Sequence, residues 1–289
     1  MRSQPTVRQK IEIVRAANLA RIPWLVHGFS TRRGGFSEAY GGGALNLGYT
    51  QDDVREIVDR NRATFLNELG TSNWPLIAVR QCHSDLIWLP EREHPPVGDG
   101  LLTASRSLLL SVRTADCHPI LLVDIKKRVV AALHAGWRGT LKRIAEKGVG
   151  EMRHWFGSRP EDLRAAIGPG IHGCCYEVGE EVREQFRSQF AYADKLFTET
   201  KESSSIRERY PLLFLTARPP GHSESLLPVK IRLDLVAANR RQLRDAGLQA
   251  NQVSDSSLCT FCRHDLLFSH RADKGVTGRM MAVVGIRPS

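Results

Sequence analysis

Two short apolar runs joined by a charged turn constrain the fold of this chain most strongly. Residues 120–123 and 129–133 each have the length of a buried strand, and the connecting residues 124–128 are too few for a crossover helix. The pair therefore predicts a β-hairpin, and with it a sheet that is at least partly antiparallel.

The remaining pattern mixes strands and helices. Further apolar runs of strand length occupy residues 24–29, 76–79, 108–112 and 283–286. Helical spacing of apolar residues appears in residues 54–69, 141–156 and 235–243. A glycine follows each helical segment, at Gly70, Gly157 and Gly247, and we expect it to end the helix in the left-handed conformation. The predicted N-caps are Asp52 or Asp53 and Thr140.

Composition and charge limit the class of protein. Lys10, Glu12 and Arg15 interrupt the apolar start of the chain, and no apolar run is long enough to span a bilayer, so we expect a cytoplasmic protein without membrane contact. The net charge is +10, but the basic residues are scattered, which does not favour nucleic acid as a partner. The six cysteines are expected to be reduced. The oligomeric state stays open.

His83, Cys117 and His134 are the candidates for chemistry, because each lies where a predicted strand ends. Their spacings of 34 and 17 residues are too long for a zinc finger but suit a site assembled at one sheet edge. Two imidazoles and a thiolate suit Zn²⁺ and leave a fourth position open. Two other readings remain open: packed, hydrogen-bonded side chains, or Cys117 as a nucleophile with a histidine base.

Several motifs surround these three residues. They are HGFSTRRGG (27–35), LNLG (45–48), Gln-x-His (81–83), TADCHP around Cys117, HAGWRGT (134–140), IGPGI (167–171), YEVGEEV (176–182) and TGR (277–279). The chain resembles, over about residues 22–286, the YfiH-like purine nucleoside phosphorylase family, formerly called multicopper polyphenol oxidases or laccase-domain proteins. The resemblance implies that His83, Cys117 and His134 are both the zinc ligands and the catalytic residues.

The pattern and the resemblance together predict an α/β (α+β) fold. We expect mixed, partly antiparallel sheets flanked by helices, in a single catalytic domain with α/β/β/α layers at residues 22–289. Residues 1–21 are predicted to be an N-terminal extension.

The resemblance implies phosphorolysis of adenosine, inosine, guanosine and methylthioadenosine to a free base and a pentose 1-phosphate, with adenosine deamination as a second reaction. The expected partners are therefore a nucleoside and phosphate. Guanidinium groups bind phosphate in bidentate fashion, so the arginines of the motifs are candidate contacts, although each could instead form a structural ion pair. The candidate substrate or phosphate contacts are Arg32, Arg33, Asn46, Arg138 and Arg271. Trp137 could stack on a purine, but burial in the core is the favoured role.

Three other functions stay open: a Cys–His amidohydrolase that edits peptidoglycan precursors, the polyphenol oxidase of the older family label, and a zinc protein that binds nucleic acid. A multicopper oxidase needs His-x-His pairs, and none occurs among the ten histidines. Copper is expected only as an adventitious occupant of the zinc site.

Some residues depart from the family or fall outside its motifs. Ser84 replaces a glycine, and Ala272 follows Arg271 where a second arginine is common. The CxxC pair Cys259 and Cys262 could be half of a structural zinc site if the fold brought it to other ligands, for which the candidates are His172, Cys174 and Cys175. Residues 198–225 are rich in Ser and Pro and are expected to form a mobile loop or insertion.

Overall fold

The computed structural model describes residues 10–90, 97–201 and 229–288. The chain divides into two compact units, one comprising Met1–His172 and Leu235–Ser289, the other Gly173–Asp234. The predicted limits of a catalytic domain at residues 22–289 stay a prediction.

The larger unit contains two sheets. The order of the five-stranded sheet is β1 (Ile13–Val14), β2 (Leu25–Ser30), β15 (Met280–Ile286), β7 (Leu109–Thr114) and β4 (Leu76–Ala78). The order of the six-stranded sheet is β14 (Val253–Asp255), β10 (Leu163–Ile167), β8 (His118–Asp124), β9 (Val129–Ala135), β6 (Gly100–Thr103) and β5 (Ile87–Trp88). A further strand, β3 (Arg33–Ser37), lies outside both sheets. The helices of this unit are α1 (Ala17–Ala20), α2 (Arg55–Glu68), α3 (Trp137–Leu141), α4 (Ile144–Phe156) and α6 (Leu235–Asp245).

The predicted hairpin is confirmed. Strands β8 and β9 pair antiparallel, from His118 opposite Ala135 to Asp124 opposite Val129. The Asp124 carboxylate accepts hydrogen bonds from the backbone N–H groups of Lys126 and Lys127 at 2.9 and 2.8 Å, which stabilises the turn. The charged residues between the two apolar runs therefore form the turn itself.

Alternating side chains give the sheets two buried faces each. Leu121 of β8 packs with Val112 of β7 in a core between the two sheets. Leu122 and Leu133 face the opposite way and pack against Met152 of α4. On the outer side of the five-stranded sheet, residues of β7 and β15 pack with Phe65 and Leu69 from α2 and its C-terminal end. The predicted α/β/β/α layering is thus confirmed.

The predicted helices form, and their C-terminal glycines are left-handed. Gly70, Gly157 and Gly247 have φ angles of 70°, 62° and 99°. The segment predicted as one helix at residues 141–156 is interrupted, because Arg143 has a φ of 65° between α3 and α4.

The predicted N-caps are wrong. Val54 precedes α2 and Arg143 precedes α4, and neither provides a side-chain cap. Thr140 lies inside α3 and its hydroxyl accepts a hydrogen bond from Asn239 of α6 at 3.1 Å. The Asp53 carboxylate accepts hydrogen bonds from Ser37 and Asn46. These polar side chains therefore satisfy tertiary contacts rather than a helix end.

The smaller unit contains a three-stranded sheet and a helix. Strand β13 (Val229–Leu233) lies between β11 (Glu177–Val178) and β12 (Phe197–Lys201), and α5 (Glu180–Gln189) follows β11. The prediction of a loop at residues 198–225 is wrong for residues 198–201, because these residues pair antiparallel with β13. Residues 202–225 lie outside the described part of the chain.

No helix within residues 10–90, 97–201 and 229–288 has the length and apolar character needed to cross a bilayer. The longest described helix, α2, has 14 residues.

The core between β9 and α4 provides a test of the layering. Leu133 is fully buried, and a Cβ at Gly148 of α4 would lie 2.5 Å from its Cδ1, so the helix sits directly on this side chain. We expect Leu133→Ala to lower the free energy of unfolding by about 2 to 5 kcal/mol, since it opens a cavity in a closely packed core. Urea unfolding monitored by circular dichroism measures the change.

The matched control is Val276→Ala, because Val276 is 60% exposed. We expect its effect to stay within about 0.5 kcal/mol. Equal effects of the two substitutions would contradict the burial of Leu133.

Candidate metal centre

The structure brings His83, Cys117 and His134 together. One ligand atom from each residue lies within 4.8 Å of the other two. The His83 and His134 rings are 5.0 Å apart between centroids and are inclined at 67°. Ligand atoms around a tetrahedral zinc ion are about 3.3 to 3.8 Å apart, so small side-chain movements would close this site on a metal.

Each candidate ligand comes from a different part of the larger unit. His83 lies in the segment after β4 and has a φ of 59°, and Cys117 lies in the turn between β7 and β8. His134 lies within β9 rather than at the predicted end of the strand, because the pairing of His118 with Ala135 continues β9 by two residues beyond Leu133. The three side chains nevertheless meet at one end of the central strands β8 and β9 of the six-stranded sheet.

Asp99 connects two of the candidate ligands. Its fully buried carboxylate accepts hydrogen bonds from the backbone N–H of His83 at 3.1 Å and from the N–H and hydroxyl of Ser84 at 2.6 and 2.7 Å. The same carboxylate lies 2.8 Å from His134 Nδ1, which must donate because a carboxylate only accepts. This bond leaves His134 Nε2 as the nitrogen available to a metal.

A second buried carboxylate fixes the turn that contains Cys117. Asp116 has a φ of 88°, and its side chain accepts hydrogen bonds from Thr260 at 2.6 Å, Ser269 at 2.7 Å and the N–H of Arg271 at 2.7 Å. A positive φ is costly for a residue with a Cβ, and these bonds hold Asp116 in it. They therefore determine the direction in which Cys117 projects.

Gly136 leaves the room that the three ligands occupy. A Cβ at this position would lie 2.8 Å from Cys117 Sγ and 3.0 Å from His83 Cδ2. Any side chain here would displace both ligands, which explains why a glycine follows the His134 strand in the HAGWRGT motif.

The electrostatics of the site favour a thiolate. Burial alone would raise the pKa of Cys117, but the charge and hydrogen bond of His134 and the hydrogen bond of His83 lower it to about 6. Burial would lower the pKa of His134, yet the Cys117 charge and the hydrogen bond to Asp99 raise it to about 9. Burial would likewise raise the pKa of Asp99, but hydrogen bonds from His134 and Ser84 hold it well below its usual range. Cys117 is thus prepared as a metal ligand or nucleophile.

Arg32, Arg33 and Asn46 make structural contacts. Arg32 donates to the backbone oxygens of His264 and Tyr40, both at 2.7 Å, and Arg33 pairs with Asp265 at 3.0 Å. Asn46 is fully buried; its amide donates within its own loop and to Asp53, and its Oδ1 accepts the N–H of Arg279 at 2.9 Å.

Arg138 and Arg271 are exposed and lie next to the segments that carry the candidate ligands. Arg138 lies four residues after His134, with its guanidinium 4.4 Å from the Trp137 ring centroid. The N–H of Arg271 is bound by Asp116. Trp137 is half-buried and is not part of the core, in contrast to the favoured expectation.

The IGPGI motif packs against the turn that carries Cys117. His118 is fully buried, and its two ring nitrogens lie 3.2 Å from the Gly168 oxygen and 3.0 Å from the Ile171 oxygen. A Cβ at Gly170 would lie 2.4 Å from His118 Nδ1. The glycine is therefore needed for close approach to the residue beside Cys117.

Of the CxxC pair, Cys259 is buried and its Sγ accepts the N–H of His172 at 3.4 Å, while Cys262 is exposed.

Sequence reasoning missed Asp99 and Asp116 as residues that orient the candidate ligands. Asp116 adjoins Cys117 within the quoted TADCHP motif, so its position was a signal. Asp99 has no comparable signal, because it lies 16 residues after His83 and 35 before His134.

Comparison with known proteins agrees with this architecture. A family model described as multi-copper polyphenol oxidoreductase laccase matches residues 26–287. The chain belongs to this family. The assignment to YfiH-like, laccase-domain proteins from the sequence motifs is thereby confirmed.

Solved structures and curated relatives of this laccase-like family cover nearly the whole chain. The structure of the Bacillus licheniformis hypothetical protein YfiH has a TM-score of 0.77 and 32% identity, and covers 91% of this chain and 93% of that one. A Deinococcus radiodurans protein named purine nucleoside phosphorylase is 36% identical, over 96% of this chain and 93% of its own length. A protein named adenosine deaminase RL5, from an unknown prokaryotic organism, is 35% identical over 85% of this chain and 88% of its own length.

The role of Asp99 can be tested through zinc affinity. We expect Asp99→Asn to weaken zinc binding about 10- to 100-fold. The neutral amide is a weaker acceptor than the carboxylate, so it would hold the His134 ring less firmly. Competition with a chromogenic zinc chelator measures the affinity.

Asp245→Asn is the control, since Asp245 pairs with Arg241 on the surface of α6. It should bind zinc like the unchanged protein. If Asp99→Asn, shown by circular dichroism to be folded, also kept full affinity, the proposed orienting role of Asp99 would be wrong.

Proposed function

We propose that this protein is a zinc-dependent purine nucleoside phosphorylase with an adenosine deaminase side activity. The observation that carries the proposal is the convergence of one ligand atom each from His83, Cys117 and His134 within 4.8 Å. The names of the relatives from Deinococcus radiodurans and from the unknown prokaryote support these two reactions.

The donor set fits zinc. Two imidazole nitrogens and a sulfur with a pKa lowered to about 6 are borderline-soft donors, and three of them leave one tetrahedral position open. Cys117 Sγ, His134 Nε2 and a ring nitrogen of His83 would hold the ion. When bound there, zinc would supply Lewis-acid activation, which both phosphorolysis and deamination can use.

The protein residues supply orientation and charge. Asp99 keeps His134 in one tautomer and fixes the backbone of His83, so the ligands are preorganised. Asp116 holds the turn of Cys117 in its strained conformation. Rigid ligands keep the substrate in one position relative to the reacting centre, which lowers the entropic part of the barrier.

Arg138 and Arg271 are the proposed contacts for phosphate at this site. Both are exposed and lie next to segments that carry candidate ligands. A guanidinium beside the reacting centre would neutralise the negative charge of an attacking phosphate. Arg32, Arg33 and Asn46 remain candidates of lower rank, because their polar groups already bind other parts of the protein.

The decisive experiment follows adenosine with and without phosphate. We expect adenine to form only when phosphate is present and inosine to form in either case, as resolved by liquid chromatography. His83→Ala and Cys117→Ala should each lower both rates at least about 100-fold, since each removes a ligand of the metal that activates the reacting oxygen.

His154→Ala is the matched control, because His154 lies on the surface of α4. Its rates should equal those of the unchanged protein. The proposal fails if the zinc-loaded protein yields neither product, or if Cys117→Ala leaves both rates unchanged.

A Cys–His amidohydrolase is the second candidate, and the pKa of the Cys117 thiol, which His134 lowers to about 6, favours it specifically. The two functions respond differently to metal removal. For the zinc enzyme we expect a chelator to abolish nucleoside turnover and added zinc to restore it. We also expect iodoacetamide to modify Cys117 only after chelation, as located by peptide mass spectrometry. An amidohydrolase would keep its activity on peptide amides after chelation and lose it on alkylation.

A further inference from the structure

Three arginines lie on the outer face of the five-stranded sheet. Arg113 belongs to β7 and stands opposite Met281 of β15. Arg279 directly precedes β15, two residues before Met281, and its charge acts on Arg113, so the two side chains lie near each other. Helix α2 packs on this face through Phe65, which contacts the cluster that contains Met281. Arg62 lies one helical turn before Phe65 and is therefore on the same side of α2.

The loop of the LNLG motif also joins two of these arginines. Arg62 Nε donates to the Leu47 oxygen at 2.9 Å. The side chain of Arg279 packs on Gly48, where a Cβ would lie 2.6 Å from its Cγ. The side chains of Arg62 and Arg279 thus both contact the short segment Leu47–Gly48.

Among the described residues, the three guanidinium groups donate hydrogen bonds only to backbone carbonyl oxygens. Arg113 donates to the Val79 oxygen at 3.3 Å, and Arg279 donates to the oxygens of Thr277 and Gly278 at 2.8 and 3.0 Å. In the part of the chain that the structure describes, no carboxylate oxygen lies within 4.0 Å of a nitrogen of these three side chains. Each guanidinium has five N–H donors, so most of them stay available.

The positive charges repel one another. Burial and the charges of Arg62 and Arg279 both lower the pKa of Arg113. Asp59 offsets part of the charge of Arg62, but its carboxylate accepts the hydroxyl of Tyr49. A guanidinium stays charged in a protein, so an anion that binds all three would relieve this repulsion.

Arg62, Arg113 and Arg279 are each partly exposed, and Tyr49 lies beside Arg62. This ring is 43% exposed and lies 4.1 Å from the Arg62 guanidinium and 4.7 Å from that of Arg55. A small anion could therefore approach from solvent. Forked donors from several arginines match the several oxygens of a tetrahedral anion better than those of a single carboxylate.

We propose that Arg62, Arg113 and Arg279 form a binding site for a phosphate-type oxyanion, either inorganic phosphate or the phosphate group of a phosphorylated ligand. Its arginines are different residues from Arg32, Arg33, Arg138 and Arg271 considered above, whereas Asn46 contacts the site by accepting the Arg279 N–H. It does not depend on the proposed reaction, because it is argued from the positions and charges of these three arginines.

The site is linked to the candidate metal centre through Gln81. Its side chain donates to the Arg113 oxygen at 2.7 Å and accepts the Arg113 N–H at 2.8 Å. Gln81 precedes His83 by two residues. An anion bound by the Arg113 side chain would therefore lie beside strand β7, whose backbone holds the segment that contains His83.

Calorimetric titration with inorganic phosphate at low ionic strength tests the proposal. We expect saturable binding by the intact protein and affinity reduced about tenfold or more in Arg113→Met and in Arg62→Met, since each loses charge-assisted hydrogen bonds. Arg62→Lys, which keeps the charge but lacks the fork, should have intermediate affinity. Urea unfolding identifies the variants that remain folded. Because Arg62 lies on helix α2, its substitution tests the site without changing a residue of the sheet.

Two controls separate this site from others. Arg159→Met removes an exposed arginine that pairs with Glu161, and we expect unchanged phosphate affinity. His83→Ala should also keep the affinity, which would distinguish this site from the metal centre whether or not the proposed reaction occurs. A parallel titration with ribose 5-phosphate shows whether the site accepts a phosphate ester or only free phosphate; binding of either supports the proposal.

The proposal is overturned if the intact protein binds neither compound at millimolar concentration. It is also overturned if folded Arg113→Met and Arg62→Met both bind phosphate as the unchanged protein does. Loss of phosphate binding in His83→Ala alone would assign the anion to the metal centre instead.

Discussion

The buried carboxylate of Asp99 is the interaction on which the candidate metal centre depends. It receives hydrogen bonds from the backbone of residues 82–84, from the Ser84 hydroxyl and from His134 Nδ1. A carboxylate removed from water is costly unless its oxygens are satisfied, and here several donors stabilise it. Because these donors come from a loop and from a strand, the same charge fixes the relative positions of His83 and His134.

Close backbone approach is the second requirement of the site. Gly136 leaves space for Cys117 Sγ and the His83 ring, and Gly170 allows the His118 ring to reach two carbonyl oxygens. Asp116 takes a positive φ between these two regions and is held there by hydrogen bonds from Thr260 and Ser269. The glycines of the motifs thus have steric reasons that do not require them to touch a substrate.

The excess positive charge is distributed unevenly. Arg33 pairs with carboxylates, and Arg32 donates to backbone oxygens. The trio of Arg62, Arg113 and Arg279 instead concentrates charge on one face of a sheet. The net charge of +10 does not show which arginines form ion pairs and which cluster, because the role of each arginine depends on the groups within a few ångströms of it.

The sequence alone determined the elements whose signals are local. The hairpin of β8 and β9, the helices that end at Gly70, Gly157 and Gly247, and the α/β/β/α layers follow from apolar periodicity, turn chemistry and the family motifs. The same motifs selected His83, Cys117 and His134. The roles of polar residues were harder to predict. Thr140 and Asp53 were predicted to cap helices, but their side chains bind Asn239 and Asn46. The polar residues 198–201 were predicted to be a loop, but they form a strand.

Only the tertiary structure decided which polar groups meet. Asp99 reaches His134 across 35 residues, Asp116 reaches Ser269 across 153, and Arg62 joins Arg113 and Arg279 from a separate helix. Periodicity reports which face of an element is buried, but it carries no information about the partner on that face. Such contacts depend on sheet register and helix packing, which are set by the whole chain, so they emerge only when the strands and helices are in place.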